Sequence, residues 1–350
     1  MKSPIHIDIP KRLPCHPCHP SIQYVHGGWN DHRYWMAQTP WPPRLRPVAP
    51  YADRWELPCI HYSDDGIHWK SIPDNPLDDL SDSQIETRDY YSDPHLILHG
   101  NVLYCYYRHV GNRGAQTTIF RKRSHDGFHW TSKTAVVFEG ISPLQQIISP
   151  SIVFAKGKWL AYYVNNKLRS HERGISVCES QDGIHFGNSV KIPALPEVRP
   201  WHIDVQFVDN RFMLVAYDAN KDLLTLFTSD DGCQFQHYNT LIRGSKRLWD
   251  FWSYRLYRAC FVSLGKKGDF DDSRVYFSAQ NGRSSFIGMM ECSNSRGYQI
   301  ADCLHGTEKV SFVLRMLSDR LWIFAYSTVR LLFPASIRAR IRERLHRRYS

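Results

Sequence analysis

The stretch Ser92–Arg108 reads S-D-P-H-L-I-L-H-G-N-V-L-Y-C-Y-Y-R and sets the alignment of the rest of the chain. Two short runs of β-favouring residues flank His99-Gly100-Asn101, so the stretch predicts a β-hairpin that opens with an acid beside a proline. Further copies of this hairpin begin at Ile148 and Trp201, and looser copies begin at Cys18 and Leu256. The chain therefore predicts five copies of one structural unit.

A second motif follows four of these hairpins. It combines a serine, an Asp-Gly pair and an aromatic residue, and its copies are S-D-D-G-I-H-W at Ser63, S-H-D-G-F-H-W at Ser124, S-Q-D-G-I-H-F at Ser180 and S-D-D-G-C-Q-F at Ser229. An Asp-Gly pair suits a tight hairpin whose aromatic ring packs between sheets. Because such a hairpin lies at the outside of its unit, we interpret these aspartates as structural.

Self-similarity at roughly 50 to 60 residues is typical of a β-propeller. The sequence predicts an all-β fold, a five-bladed β-propeller over residues 1–305, followed by a basic amphipathic helical tail over 306–350. Nine cysteines without a framework spacing indicate a reducing compartment. The start of the chain lacks an apolar run of signal-peptide length. We therefore expect a cytoplasmic protein, with the inner face of the membrane as a further location.

The tail carries most of the positive charge. Residues 315–350 hold nine arginines against Asp319 and Glu343, which leaves a net charge of +7 out of +10 for the whole chain. Pro334 is expected to begin a helix with apolar residues on one stripe, which can lie on an anionic membrane surface. The alternative is a helix that docks on the propeller or on a partner protein. No nucleic-acid partner is expected, because the arginines have no recognition fold around them.

One cluster near the start has the residue types of a zinc site, namely Cys15, His16, Cys18 and His19. Thiolates at this spacing can share a zinc ion, but the chain offers no clear second half for the site. We therefore interpret the cluster as ordinary packing and expect neither a metal nor a cofactor.

Polar residues recur at the start of the innermost strand of each predicted blade. Reading the same position in successive blades gives His19, Asp93, Ser149, His202 and Tyr257. Two residues further along, the positions hold Ser21, His95, Ser151, Asp204 and Ala259. A spacing of two puts both sets on one strand face, which lines the central channel. This arrangement predicts a functional site, and the alternative is a satisfied polar network inside the channel.

These repeated motifs resemble those of the glycoside hydrolase family 43 superfamily, whose five-bladed propellers have blades that open with an acid-Pro pair. The likeness covers roughly residues 15–292. It implies a blade-one aspartate as general base, a blade-two aspartate that orients and tunes, and a blade-three glutamate as general acid. Asp93 matches the blade-two residue. His19 occupies the blade-one position, and blade three reads I-I-S-P without a glutamate.

Other residues can replace the two missing carboxylates. The candidate catalytic residues are Asp93, Asp204, Glu56 and His202, and we expect Asp93 and Asp204 to face one another across the mouth of the channel with the other two beside them. Two carboxylates brought close separate their pKa values and thereby provide an acid and a base.

The remaining candidates are expected to contact the substrate: His19, His95, Arg108, Trp201, Tyr257, Arg258 and Trp41. Trp41 belongs to a long insertion, Thr39–Glu56, whose aromatic residues Tyr51 and Trp55 can also stack on sugar rings or cover the core edge. The predicted function is a glycosidase-like enzyme acting on an oligosaccharide or surface polysaccharide, with phosphorolysis as a related reaction because the arginines can hold an anion. The alternative is a propeller that binds glycan or protein without catalysis.

Overall fold

A computed structural model of the chain describes residues 1–10, 16–41, 56–87, 89–111, 114, 116–141, 146–166, 174–265, 272–293 and 297–332. Five separate sheets of four or five strands account for most of these residues, which confirms the predicted five-bladed β-propeller. No helix among the described residues combines the length and apolar character needed to cross a membrane.

Each blade is a meander that runs from the channel to the outside. Blade one contains β1 (His6–Ile7), β2 (Pro17–Trp29), β3 (His32–Pro40), β4 (Cys59–Ser63) and β5 (His68–Ser71). Blade two contains β6 (Tyr90–His99), β7 (Val102–Gly111), β8 (Gln116–Ser124) and β9 (Thr134–Phe138), with α1 (Asp82–Glu86) before it. Blade three contains β10 (Gln146–Ala155), β11 (Lys158–Asn166), β12 (Gly174–Ser180) and β14 (Val190–Lys191).

The last two blades have four strands each. Blade four contains β15 (Pro200–Val208), β16 (Arg211–Asp218), β17 (Leu223–Ser229) and β18 (Gln236–Arg243). Blade five contains β19 (Arg255–Ser263), β20 (Ser273–Gln280), β21 (Ser285–Ser293) and β22 (Gly297–Ile300). Apolar side chains from facing blades form a separate buried cluster at each of the five junctions between neighbours.

The Asp-Gly motifs fasten neighbouring blades together. In the first copy, Oδ1 of Asp65 accepts hydrogen bonds from the backbone N–H groups of Ile67 and His68, and the other copies repeat this pattern. The carbonyl of Gly66 accepts a hydrogen bond from the hydroxyl of Tyr276 in blade five. Tyrosines in blades two and three bind the third and fourth copies in the same way. These aspartates therefore serve the fold, as the sequence indicated.

Both ends of the propeller sequence contribute to closure. The strand β1 pairs in parallel with β5 of blade one, and the N–H of Ile5 donates to the carbonyl of Ile287 in blade five at 3.0 Å. A similar parallel strand, β13 (His185–Phe186), pairs with β9 and links blades two and three. The residues before β2 thus form their strand pairing with blade one and share single hydrogen bonds with blade five.

A long helix, α2 (Gly306–Leu332), packs against blade five. Met316 and Phe312 are buried there, and the Phe312 ring lies 5.7 Å from that of Phe286. Asp319 accepts a hydrogen bond of 2.9 Å from Asn281. Because burial on the blade stabilises it, α2 begins well before Pro334. The helix predicted after Pro334 lies outside the described residues. The alternative expected for the tail, a helix that docks on the propeller, therefore describes α2.

Candidate functional site

The channel residues fall into two rings. The first ring consists of His19, Asp93, Ser149, His202 and Tyr257, and the second ring consists of Ser21, His95, Ser151, Asp204 and Ala259. All five innermost strands break their hairpin register at this level with a β-bulge or irregularity. Bulges re-aim side chains, so this shared irregularity explains why equivalent residues point toward the axis.

Three residues of the first ring have a left-handed backbone. The φ angles of His19, Asp93 and Ser149 are 54°, 51° and 54°, and each residue precedes a proline. This conformation costs about 1–3 kcal/mol for a residue with a Cβ atom and persists only where the surroundings fix it. One such fixing contact is the backbone N–H of Ser149, which donates to Oδ2 of Asp93 in the neighbouring blade at 3.1 Å.

The carboxylate of Asp93 is the centre of the first ring. Its Oδ2 lies 3.2 Å from Nε of Arg108. Its Oδ1 lies 3.5 Å from Nε2 of His19, 3.7 Å from Nδ1 of His202 and 4.0 Å from Nη1 of Arg258. Burial opposes ionisation, but the charges of Arg108 and Arg258 hold the pKa of Asp93 well below its usual range. Asp93 is therefore an anion at neutral pH.

Glu56 is a second buried carboxyl group whose protonation is opposite to that of Asp93. Burial, and then the negative charge of Asp93, raise the pKa of Glu56 to about 8, although Arg108 and Ser92 partly oppose the shift. Its backbone is left-handed as well, with a φ of 55°. The site thus holds a protonated carboxyl group, Glu56, close enough to the ionised Asp93 for the charge of Asp93 to raise its pKa. Such a difference in pKa lets one carboxyl group act as an acid while the other stays charged.

The two histidines of the first ring are neutral. Burial lowers the pKa of His19 to about 4 and that of His202 well below its ordinary value. Nδ1 of His19 lies 2.7 Å from the hydroxyl oxygen of Thr39. Nε2 of His19 and both ring nitrogens of His202 are buried without a hydrogen-bond partner among the described residues. Buried polar atoms are almost always paired, so these nitrogens indicate a place for a ligand.

The second ring lacks such a convergence. Oδ1 of Asp204 lies 3.4 Å from Nδ1 of His95, and Oδ2 accepts hydrogen bonds from the side chain of Gln206 and the backbone of Phe261. Nε2 of His95 lies 2.8 Å from the carbonyl oxygen of Ile152. Within the described part of the chain the ionic contact of Asp204 is with His95, and the expectation that Asp204 faces Asp93 across the mouth of the channel stays a prediction.

Aromatic side chains surround the first ring. The ring of Tyr257 lies 4.3 Å from His202 and 5.2 Å from His19, and the half-buried ring of Trp41 stacks on His19 at 5.8 Å. The indole N–H of Trp201 lies 3.3 Å from the hydroxyl oxygen of Tyr257. Trp41 and Trp201 thus lie next to the site as predicted for substrate contacts, whereas Tyr51 and Trp55 lie outside the described residues.

The first ring also presents a set of metal-ligand atoms that the sequence analysis missed. Nitrogen atoms of His19 and His202 and an oxygen of Asp93 all lie within 4.8 Å of one another. Neutral imidazoles and a carboxylate are ligands that zinc and similar transition ions prefer, whereas calcium prefers oxygen ligands alone. The signal in the sequence was the position of both histidines in the same ring as Asp93. The Cys-His cluster is different, because Nδ1 of His16 accepts a hydrogen bond from Ser285.

Solved structures with the same architecture include several that act on carbohydrates. An N-acetylgalactosamine deacetylase from F. plautii, in complex with blood group B trisaccharide, is 20% identical, with a TM-score of 0.63 over 86% of this chain and 94% of its own. A family 117 glycoside hydrolase from the marine bacterium Zobellia galactanivorans is 16% identical, with a TM-score of 0.56 over 89% of this chain and 96% of its own.

A third structure is a family 43 β-xylosidase/α-arabinofuranosidase from a compost microbial metagenome, in a calcium-free form with xylotriose. It is 10% identical, with a TM-score of 0.59 over 87% of this chain and 100% of its own. No family model matches this chain, and no curated protein matches it. At these identities the likeness shows the fold: the chain shares the five-bladed propeller of these structures, as the repeats predicted.

Proposed function

We propose that this protein is a hydrolase that acts on glycosidic bonds, with its reaction in the first ring. The observation that carries the proposal is the pairing of a protonated Glu56 with an ionised Asp93 in one buried polar cluster. An acid and an ionised partner with separated pKa values are what glycoside hydrolysis requires. The carbohydrates bound by the structural neighbours, blood group B trisaccharide and xylotriose, support a glycan substrate.

The residues divide the reaction between them. Glu56 donates its proton to the leaving oxygen as the bond from that oxygen to the sugar breaks. His202 accepts a proton from the attacking water through Nε2, which has no other partner in the described chain. The carboxylate of Asp93, 3.7 Å from Nδ1 of His202, stabilises the imidazolium that forms. His202 thus takes the role of the missing blade-one carboxylate, and Asp204 has no part in the chemistry.

The test is a screen of the purified protein on aryl-glycosides and oligosaccharides, with and without phosphate. We expect hydrolysis that falls by about 10²–10⁴-fold in Glu56→Gln, because the general acid is lost. The matched control is Glu179→Gln, which changes an exposed glutamate on β12. Release of a sugar phosphate only in the presence of phosphate would indicate phosphorolysis instead. Glycan binding without turnover by any variant would establish the non-catalytic alternative.

A second candidate reaction is the hydrolytic removal of an acyl group from an amino sugar. The specific observation in its favour is the set of three ligand atoms on His19, Asp93 and His202 within 4.8 Å. A divalent ion held there would act as a Lewis acid on an acyl oxygen. The deacetylase activity of the F. plautii structure supports this candidate. The hydroxyl of Thr39 contacts Nδ1 of His19 and so orients the ring, which leaves Nε2 to bind the ion.

Titration calorimetry with Zn²⁺ tests this candidate independently of activity. We expect saturable binding to one site, which His202→Ala abolishes and which His237→Ala, a change in an exposed histidine on β18, leaves intact. Release of acetate from N-acetylated sugars, with loss of that release after chelation, would favour deacylation over glycosidic cleavage. Absence of zinc binding by the wild type would remove the candidate.

A further inference from the structure

The described chain concentrates its exposed apolar side chains in one region. Of the twelve large hydrophobic residues that are exposed, eight belong to α2 or to the nearby segment 248–254: Val310, Leu314, Leu317, Leu321, Phe324, Leu248, Trp249 and Tyr254. The segment contacts the helix through a hydrogen bond between Arg320 and Ser253. Contiguous exposed apolar patches of this kind mark interaction surfaces.

The two faces of α2 have opposite characters. Phe312, Met316 and Asp319 are buried against blade five. The exposed apolar residues follow one another at alternating spacings of four and three from Val310 to Phe324, which places them on a single stripe about 21 Å long. Leu321 and Phe324 are 71% and 73% exposed. The propeller therefore stabilises the helix and leaves an apolar stripe facing away from it.

The chemistry around the stripe resembles that of a membrane interface. Trp249 and Tyr254 of the segment 248–254 are each 48% exposed, and such amphipathic rings favour the boundary between lipid and water. The sequence after α2, residues 333–350, contains six arginines and one acidic residue. Basic residues next to an apolar helix face attract anionic lipid headgroups, at about 1 kcal/mol for each charge near the surface.

A second copy of the chain fits the stripe less well. In paired helices the positions flanking an apolar stripe usually hold charges that attract the partner. Here these positions hold Ser311, Ser318 and Ser327, which carry no charge. They also hold Lys309 and Arg320, whose side chains bind Asp302 and Ser253 of the same chain. The basic stretch 333–350 would also repel its counterpart in another copy, whereas an anionic surface attracts it.

We propose that α2 is a membrane-docking element, whose apolar stripe enters the headgroup region of an anionic lipid surface while its other face holds the propeller. This inference is independent of the reaction in the first ring. It deepens the sequence prediction, because the docking helix is α2 itself rather than only the segment after Pro334.

The test measures co-sedimentation of the full chain with phosphatidylcholine vesicles, with and without phosphatidylserine. We expect binding that requires phosphatidylserine and falls at least about tenfold in the double variant Leu321→Glu, Phe324→Glu, because two inserted apolar groups become charged. The matched control is Val190→Glu, which alters a residue that is 63% exposed on blade three and should bind as the wild type does.

Three results would overturn the proposal. The wild type could fail to sediment with anionic vesicles, or the double variant could sediment equally well. Light scattering could instead show a dimer that the double variant dissociates, which would assign the stripe to a second copy. The melting temperature of the double variant should match that of Val190→Glu, so that loss of binding is separated from loss of folding.

Discussion

The two rings of the channel use the same residue types for different purposes. In the second ring, Ser21 and Ser151 bind backbone groups of the neighbouring blades, and Asp204 faces one histidine at 3.4 Å. In the first ring, one carboxylate oxygen of Asp93 faces two imidazoles, and three of the imidazole nitrogens have no hydrogen-bond partner among the described residues.

The polar groups of the second ring thus hold neighbouring blades together, whereas those of the first ring are available to bind a ligand. Both rings are fully buried, so burial alone does not identify the site. In the second ring, Nδ1 of His95 and Oδ1 of Asp204 also lack a hydrogen-bond partner among the described residues, but they face each other as a single pair. What distinguishes the first ring is that nitrogen atoms of two histidines converge on one anion, with Glu56 protonated in the same cluster. A polar network is costly when it is only partly satisfied, which is why such a network indicates function.

The largest expected effect separates Asp93 from Asp204. Asp93→Asn should lower turnover by about 10³-fold or more, because the anion that orients the site is lost. It should also lower the free energy of unfolding by about 3 kcal/mol, since Arg108 and Arg258 lose the carboxylate that faces them.

Asp204→Asn is the matched comparison. We expect turnover within a few-fold of the wild type and a stability loss of about 1–3 kcal/mol, because the amide keeps only part of the hydrogen bonding. Enzyme assays and thermal unfolding on both variants are the measurements. Equal loss of turnover in the two variants would show that the rings act together.

The pH dependence of turnover sharpens the same comparison. Glu56 must be protonated to act as an acid, so activity should decrease tenfold for each pH unit above about 8. His202 must be neutral to accept a proton, and because burial lowers its pKa well below the ordinary value, activity should persist into the acidic range. A profile that rises steadily between pH 6 and 10 would contradict the role of Glu56.

Two glycines in turns outside the site should give smaller effects, on stability alone. A Cβ atom added at Gly127 would lie 2.1 Å from the buried ring of Trp35, so Gly127→Ala should cost about 3 kcal/mol of stability. Gly100 also has a positive φ but has no neighbour within 4 Å of such a Cβ atom, so Gly100→Ala should cost only about 1 kcal/mol. Turnover per folded molecule should not change in either variant.

The sequence predicted the fold because its signals are local and repeated. Hairpins that begin at equivalent positions, and Asp-Gly turns after four of them, specify the blades without knowledge of distant contacts. The same register correctly placed His19, Asp93, His202 and Tyr257 in one ring of the channel. It also placed Asp204 in the second ring, but it could not show that His95 would be its ionic contact, since that contact depends on the distance between side chains of different blades.

Other features depended on tertiary contacts. Glu56 reaches the site because its N–H binds the carbonyl of Pro40 at 3.1 Å after a long insertion, a closure that no periodic pattern encodes. The sequence predicted a helical tail from residue 306 but placed the start of its helix at Pro334; α2 begins earlier, because Met316 and Asp319 are buried against blade five. For the same reason, deletion of 315–350 should destabilise the propeller as well as weaken membrane binding.

The central claim is that Glu56 is protonated in the folded protein at neutral pH, and it can be tested without a known substrate. The measurement is the free energy of unfolding of the wild type and of Glu56→Gln between pH 4 and pH 9. The folded protein holds the Glu56 proton up to about pH 8 while the unfolded chain releases it near the ordinary value of 4.5. Wild-type stability relative to the variant should therefore fall as the pH rises through this window and level off above it. A difference between the two proteins that does not vary with pH would contradict the account.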